Sequence, residues 1–179
     1  MASLKSFDKG LVQVFTGEGR GKTSAAIGTV VRALGNGLKV RIIAFLKAGH
    51  PSGEWEILSR LENVNISRFG TKTFVNPDKP MQEDREQAAM ALKEARESIT
   101  SGDYNVVLLD EVNVAAAWNL IDVHDVLSLI EAKPDNVELI LTGRGADKEI
   151  VKAADLVTEM LNIKHPYENG TVARKGIEY

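Results

Sequence analysis

Short apolar runs alternate with amphipathic stretches along this chain, and that alternation sets the expected architecture before any chemistry is considered. Leu11 to Phe15, Lys39 to Leu46, Val64 to Phe69, Tyr104 to Leu109 and Val137 to Leu141 are brief runs dominated by Val, Ile, Leu and Phe. Runs this short and continuous read as strands covered on both faces, as in a parallel sheet. Leu156 to Leu161 reads as a last parallel strand. Between the runs the period changes. Ala26, Ile27, Val30, Val31 and Leu34 repeat at helical spacing, with Gly35 or Gly37 placed to end the helix. Trp55 to Leu61 predicts a short helix. Ala88, Leu92, Ala95 and Ile99 recur at four-three-four spacing in a long helix that opens near Pro80 and closes at Gly102. Asp122 to Ala132 and Lys148 to Ala154 predict two more. The loops Lys47 to Glu54 and Gly70 to Lys79 lack periodicity and hold Gly or Pro. The tail from Lys164 to Tyr179 is polar.

Strands alternating with helices predict an α/β domain: a mostly parallel sheet, right-handed crossovers and helices on both faces. Ligands of such sheets lie outside the carboxyl ends of the strands. Four loops fall there: the glycine loop after Phe15, Lys47 to Glu54, Asp110-Glu111, and Thr142 to Arg144. With no internal repeat, low-complexity tract or linker, the expected organisation is a short lead over residues 1–10 and one domain over 11–179.

Composition narrows the class. The 179 residues suffice for one sizeable core. A net charge of −3 disfavours a nucleic-acid partner held mainly by electrostatics. No apolar run approaches a membrane span, and Met1 to Gly10 lacks the apolar core of a secretory signal. The absence of cysteine removes thiolate metal sites and thiol nucleophiles and accords with a cytoplasmic setting. His50, His124 and His165 are scattered without metal-ligand spacing, so zinc is not expected.

The chemistry concentrates in Val14-Phe15-Thr16-Gly17-Glu18-Gly19-Arg20-Gly21-Lys22-Thr23. An apolar strand breaks into three alternate glycines, and Lys22-Thr23 opens a helix. In that context glycines let successive N–H groups turn inward, and the helix start adds partial positive charge, which together cradle a polyphosphate. Lys22 supplies a mobile full charge, and the Thr23 hydroxyl suits a phosphate-bound Mg²⁺. The strict motif places its first glycine where Thr16 stands; here it has slipped to Gly17. A second apolar strand, Val106 to Leu109, delivers Asp110 and Glu111 to the sheet edge, where a carboxylate beside a phosphate loop holds Mg²⁺ directly or through water. Arg144 ends another strand, either as a polyphosphate contact or as a solvated turn residue. Lys47 and Glu54 flank a flexible loop from which they could reach phosphate and ribose hydroxyls respectively, a role that spacing alone does not assign. The residues thus point to a Mg²⁺-nucleoside triphosphate enzyme and leave its acceptor open.

Assembled, these residues resemble the P-loop class of ATP:corrinoid adenosyltransferases. The likeness rests on Phe15 to Ala26 with its slipped glycine, Arg32-Ala33, Gly35-Asn36-Gly37, Phe45-Leu46-Lys47, Gly53-Glu54, Leu109-Asp110-Glu111 and Leu141-Thr142-Gly143-Arg144. It continues through Ala154 to Met160, Lys164-His165-Pro166 and Gly176-Ile177-Glu178-Tyr179. The resemblance implies a P-loop NTPase-like, RecA-like fold and a reaction in which Co(I) of a reduced corrinoid attacks the ribose C5′ of ATP, releasing triphosphate. The nucleophile then belongs to the corrinoid, and no catalytic side chain is implied. By the same resemblance Gly17, Glu18, Gly19, Arg20, Gly21, Lys22, Thr23 and Ser24 bind the triphosphate. Thr23 with Glu111 or Asp110 binds Mg²⁺ (or Mn²⁺), while Arg32, Lys47, Glu54 and Arg144 are further ATP contacts. Homodimerisation and an electron-donor flavoprotein are also implied.

Two departures stand out. Some members carry a longer N-terminal helical extension over the corrinoid, and some carry a Phe-x-Trp pair after the third strand that keeps the lower axial ligand off cobalt. Here that region reads Gly70-Thr71-Lys72-Thr73-Phe74-Val75, leaving Phe69 and Phe74 as the corrinoid-facing candidates. Two alternatives stay open at this stage: a P-loop ATPase or kinase on the same fold, and a non-catalytic nucleotide-sensing module.

Overall fold

In the computed structural model, residues 8–49 and 52–178 are described; most of the expected lead, together with His50, Pro51 and Tyr179, lies outside them. Six strands, β1 (Val12–Thr16), β2 (Val40–Ala44), β3 (Val64–Arg68), β4 (Val106–Asp110), β5 (Glu138–Thr142) and β6 (Leu156–Glu159), form one sheet in the order β3-β2-β4-β5-β1-β6. Every pairing is parallel. Among the described residues the α-helices are α1 (Lys22–Gly35), α2 (Gly53–Leu58), α3 (Gln82–Thr100), α4 (Val112–Ala117), α5 (Val123–Ala132) and α6 (Lys148–Ala153). This is the single α/β domain that the strand–helix alternation predicts, and it is consistent with the P-loop NTPase-like fold that the resemblance implies.

Side-chain alternation along the strands divides the core in two. Val12, Val14, Ile43, Phe45, Val107, Leu109, Leu139 and Leu141 pack with α3, α4, α5 and α6, whereas Phe15, Val40, Ile42, Ala44, Val106, Leu108 and Ile140 pack with α1 and α2. β2, β4 and β5 are buried throughout, which is why their sequences are continuously apolar rather than alternating. The helical stripes are slightly rotated from expectation: α1 buries Ala26, Val30 and Ala33 while Val31 is exposed, and α3 buries Ala91 beside Ala88, Ala95 and Ile99.

Three local readings differ from the sequence pattern. α2 begins at Gly53, so Glu54 stands in its first turn rather than in the preceding loop. The sequence pattern predicts no helix where α4 stands. Its residues Val112 to Ala116 are all buried, so the amphipathic period that would mark a helix is missing. Within the polar tail, Pro166–Asn169 forms a short 3-10 turn, with His165 Nδ1 accepting from the Tyr167 amide at 3.2 Å.

Candidate active site

The strand order puts the carboxyl ends of β2, β4, β5 and β1 side by side. The four loops singled out from sequence therefore share one edge. β5 stands between β1 and β4, so the glycine loop and the acid pair are two strand spacings apart, roughly 10 Å. Thr23 bridges that gap.

The glycine loop is shaped by the chain that follows β6. Gly17 has φ +95°, and a Cβ on it would lie 2.5 Å from the Met160 carbonyl oxygen. A Cβ on Gly19 would lie 2.5 Å from the carbonyl oxygen of Leu161, and the Gly19 amide donates to the Met160 carbonyl at 2.7 Å. Backbone atoms cannot step aside, so side chains at these two positions are excluded. Lys22 curls into the loop and donates to the carbonyls of Gly17 and Gly19, each at 2.7 Å. Burial, reinforced by the positive charge of Arg144, lowers its pKa.

Asp110 is fully buried and accepts three hydrogen bonds. Oδ1 accepts from Thr23 Oγ1 at 2.8 Å and from Thr142 Oγ1 at 2.6 Å, and Oδ2 accepts from Lys47 Nζ at 2.7 Å. Lys47 Nζ also lies 3.7 Å from Glu111 Oε1 and 5.9 Å from the centre of the Trp55 ring. Burial is the largest influence on Lys47 and opposes its charge, but Asp110, Glu111 and Glu54 together raise its pKa above the usual lysine value. For Glu111, burial outweighs Lys47 and pushes the carboxyl pKa up.

The backbone aims these groups. Leu46, immediately before Lys47, has φ +59°, and Glu111 has φ +61°. Left-handed non-glycine residues cost of order 1–3 kcal/mol each and mark places where the surroundings over-determine the chain. Here they stand at the ends of adjacent strands and turn two charged side chains towards one another. The donor set suits Mg²⁺. Two carboxylates and a hydroxyl are too few for an all-protein cage, but they match a hard cation whose remaining positions go to phosphate oxygens and water.

A family model of ATP:corrinoid adenosyltransferase BtuR/CobO/CobP matches residues 8–179. A corrinoid adenosyltransferase of Pseudomonas aeruginosa is 36% identical over 173 residues, covering 96% of this chain and 85% of the relative. One from a Sinorhizobium species is 35% identical over 180 residues, covering 99% and 84% respectively. The corrinoid adenosyltransferase CobA of Salmonella typhimurium is 31% identical over 172 residues, covering 96% and 87%. This chain belongs to the ATP:corrinoid adenosyltransferase family.

In this adenosyltransferase-family chain the expected site residues are not all brought together. Gly17, Gly19, Gly21, Lys22, Thr23, Lys47, Asp110 and Glu111 converge, and Glu54 is near enough to act on the Lys47 charge. Around them, Arg144 Nε lies 3.5 Å from Glu18 Oε2, with both side chains exposed, and Ser24 is exposed in the first turn of α1. Arg20 turns towards the tail, where it pairs with Glu178 Oε1 at 3.2 Å and with the Ile177 carbonyl. Arg32 is not brought to the cluster. It is exposed in the last turn of α1, roughly 15 Å along the axis from Lys22 at the usual rise per residue. Phe69 immediately follows β3, partly buried against the α3 side of the core, and Phe74 is 86% exposed in the following loop.

The structure gives contacts to residues to which the sequence pattern assigns no role of their own. Thr142 touches both acid-bearing positions, since its Oγ1 also accepts from the Glu111 amide at 3.0 Å. Asn113, fully buried two residues beyond Glu111, has neither its amide nitrogen nor its oxygen hydrogen-bonded. Glu178 links the loop to the tail by also accepting from the Arg174 backbone and guanidinium. For Thr142 a signal existed: a hydroxyl residue ending the strand next to the acid strand, readable once β5 is known to lie beside β4.

Proposed function

We propose that this chain transfers the 5′-deoxyadenosyl group of ATP to the Co(I) centre of a reduced corrinoid and releases triphosphate. The C5′–O bond breaks as the Co–C5′ bond forms, and the departing oxygen takes the electron pair. Such a displacement needs no protein nucleophile. It needs a leaving group held in place, with its growing charge neutralised. The observation that carries the reading is the convergence of Lys22, Thr23, Asp110 and Glu111 at one sheet edge, on a chain matched almost end to end by the adenosyltransferase family.

Lys22 and the loop from Gly17 to Ser24 hold the triphosphate, the Gly19 amide being taken by Met160, with Arg20 and Arg144 at its rim. Thr23 and Glu111, backed by Asp110, hold Mg²⁺, which supplies charge neutralisation on the phosphate oxygens. Lys47 and Glu54 contact the nucleotide, and Phe69 and Phe74 present the apolar surface of the corrinoid side. Homodimerisation, electron supply by a flavoprotein and a cytoplasmic setting belong to the same reading and rest on the family resemblance. The absence, among the described residues, of a helix long and apolar enough to cross a membrane is consistent with it.

The test is direct. The protein is incubated with ATP, Mg²⁺ and chemically reduced cobalamin, Co–C bond formation is followed by absorbance, and the phosphorus product is identified by ³¹P NMR. Triphosphate with an alkylated corrinoid is expected. ADP and phosphate, with the corrinoid unchanged, would overturn the reading in favour of an ATPase.

A further inference from the structure

We propose that Thr142 is the residue that positions Glu111 for metal binding, through a single hydroxyl that ties together the two acids at the carboxyl end of β4. The inference rests on the Mg²⁺·ATP reading above, and concerns what this chain's own residues do towards the metal.

A threonine hydroxyl has one proton to give and two lone pairs to receive with. At Thr142 the proton goes to Asp110 Oδ1 at 2.6 Å, and a lone pair receives the Glu111 amide at 3.0 Å. These two bonds are made to consecutive residues from the neighbouring strand's end. They close a small ring around the Asp110–Glu111 peptide unit, the point at which the backbone leaves β4 and enters the left-handed conformation of Glu111, φ +61°. A glutamate gains nothing intrinsic from that conformation. Something must hold it there, and the Thr142 hydroxyl is the group in bonding contact with its amide.

The carboxylate side of the ring is just as constrained. Asp110 and Thr142 are both fully buried, so neither can exchange its partner for bulk water. Asp110 Oδ1 accepts from Thr142 and Thr23 together, and Thr23 is the hydroxyl at the start of α1. Thr142 therefore fixes the carboxylate that fixes Thr23, and it fixes the turn that aims Glu111. Both protein sides of the metal position are set from the end of β5, the strand that lies between them. Outer groups of this kind orient the ligands and change metal affinity without touching the ion.

A threonine that only fills space predicts something different, and valine separates the two cases. Thr142→Val keeps the β-branched shape and removes both hydrogen bonds; Thr142→Ser keeps the hydroxyl and removes the methyl. The measurement is calorimetric titration of ATP binding at a series of Mg²⁺ concentrations and again in EDTA. Thr142→Val is expected to need about ten-fold or more Mg²⁺ to reach the half-maximal gain in ATP affinity, while its affinity for metal-free ATP stays within about two-fold of wild type. Thr142→Ser is expected to stay within about three-fold of wild type throughout. A valine variant with the wild-type Mg²⁺ midpoint overturns the assignment, and so does a serine variant as impaired as valine. If the valine variant does not fold, Thr142→Ala is judged by the same criterion. The readout is metal-coupled binding, not turnover. A wild-type protein that binds Mg²⁺·ATP yet alkylates no corrinoid would sink the transfer reading and leave Thr142 to be decided by the same titration.

Discussion

Lys47 reaches from the end of β2 to the buried Asp110 at the end of β4, with Nζ 2.7 Å from Oδ2. The pair is a buried ion pair in which one member, Asp110, has no access to solvent. Removing only the cation leaves a carboxylate that neither water nor a second charge can compensate. Lys47→Met should therefore destabilise the protein by about 3 kcal/mol, towards the lower end for broken buried pairs because Thr23 and Thr142 still donate to Asp110. Urea denaturation measures it. A change below about 0.5 kcal/mol, the level of an exposed pair, would mean that Asp110 does not depend on Lys47.

Gly19→Ala tests the cradle. Its new methyl would meet the Leu161 carbonyl oxygen at 2.5 Å and its carbon at 2.6 Å. Either the loop or the chain after β6 must move, and the bond from the Gly19 amide to Met160 goes with it. ATP affinity should fall by ten-fold or more, on the order of 1.4 kcal/mol, with the sheet intact by circular dichroism. Wild-type ATP affinity in this variant would show that the close approach is not needed for binding.

Asn113 makes a prediction of opposite sign. Both polar atoms of its side chain are buried without a hydrogen bond. Leaving such groups unsatisfied costs about 1–3 kcal/mol, and an apolar residue of similar shape removes the penalty. Asn113→Leu should raise the free energy of unfolding by roughly 1 kcal/mol in the ligand-free protein, allowing for a tight fit beside Gly143. A loss of stability would reveal that the amide is bonded, most simply by a buried water.

The tail contributes the pH dependence. Hydrogen bonds from the Arg174 side chain and backbone, with the nearby charges of Arg174 and Arg20, pull the Glu178 carboxyl from 4.5 to about 2. A carboxyl lowered in the folded state stabilises its contacts above the unfolded value. The tail contacts should thus be complete above about pH 4.5 and be lost as pH falls towards about 2. Because the group is exposed, added salt should weaken the effect. NMR titration of the Glu178 side chain reads it directly: a midpoint near 2 is expected, moving up in Arg174→Ala. A wild-type midpoint at 4.5 would mean that the tail is not held in this way.

The layout of the site was legible because its chemistry is local in sequence. Gly17 to Thr23 and Asp110-Glu111 are contiguous motifs, each following an apolar strand. What pattern could not supply was neighbour identity across the sheet. That Thr142 touches Asp110, or that Met160 and Leu161 press on Gly17 and Gly19, follows from strand order, which residues far apart in the chain set jointly. α4 leaves no mark in the pattern for a related reason, since a helix buried on every side carries no period. Arg32 shows the converse: a cation in a matching segment is carried to the far end of its helix by simple geometry.

The close fit of the phosphate loop against Met160 and Leu161 bears on how much of the chain can be cut away. A polypeptide ending near Asp155 would keep nearly every residue of both hydrophobic layers, though it would lose β6 and its pairing with β1. It would lose the mould in which the glycines are set. The chain beyond Asp155 thus adds little to the hydrophobic core and yet gives the loop its form.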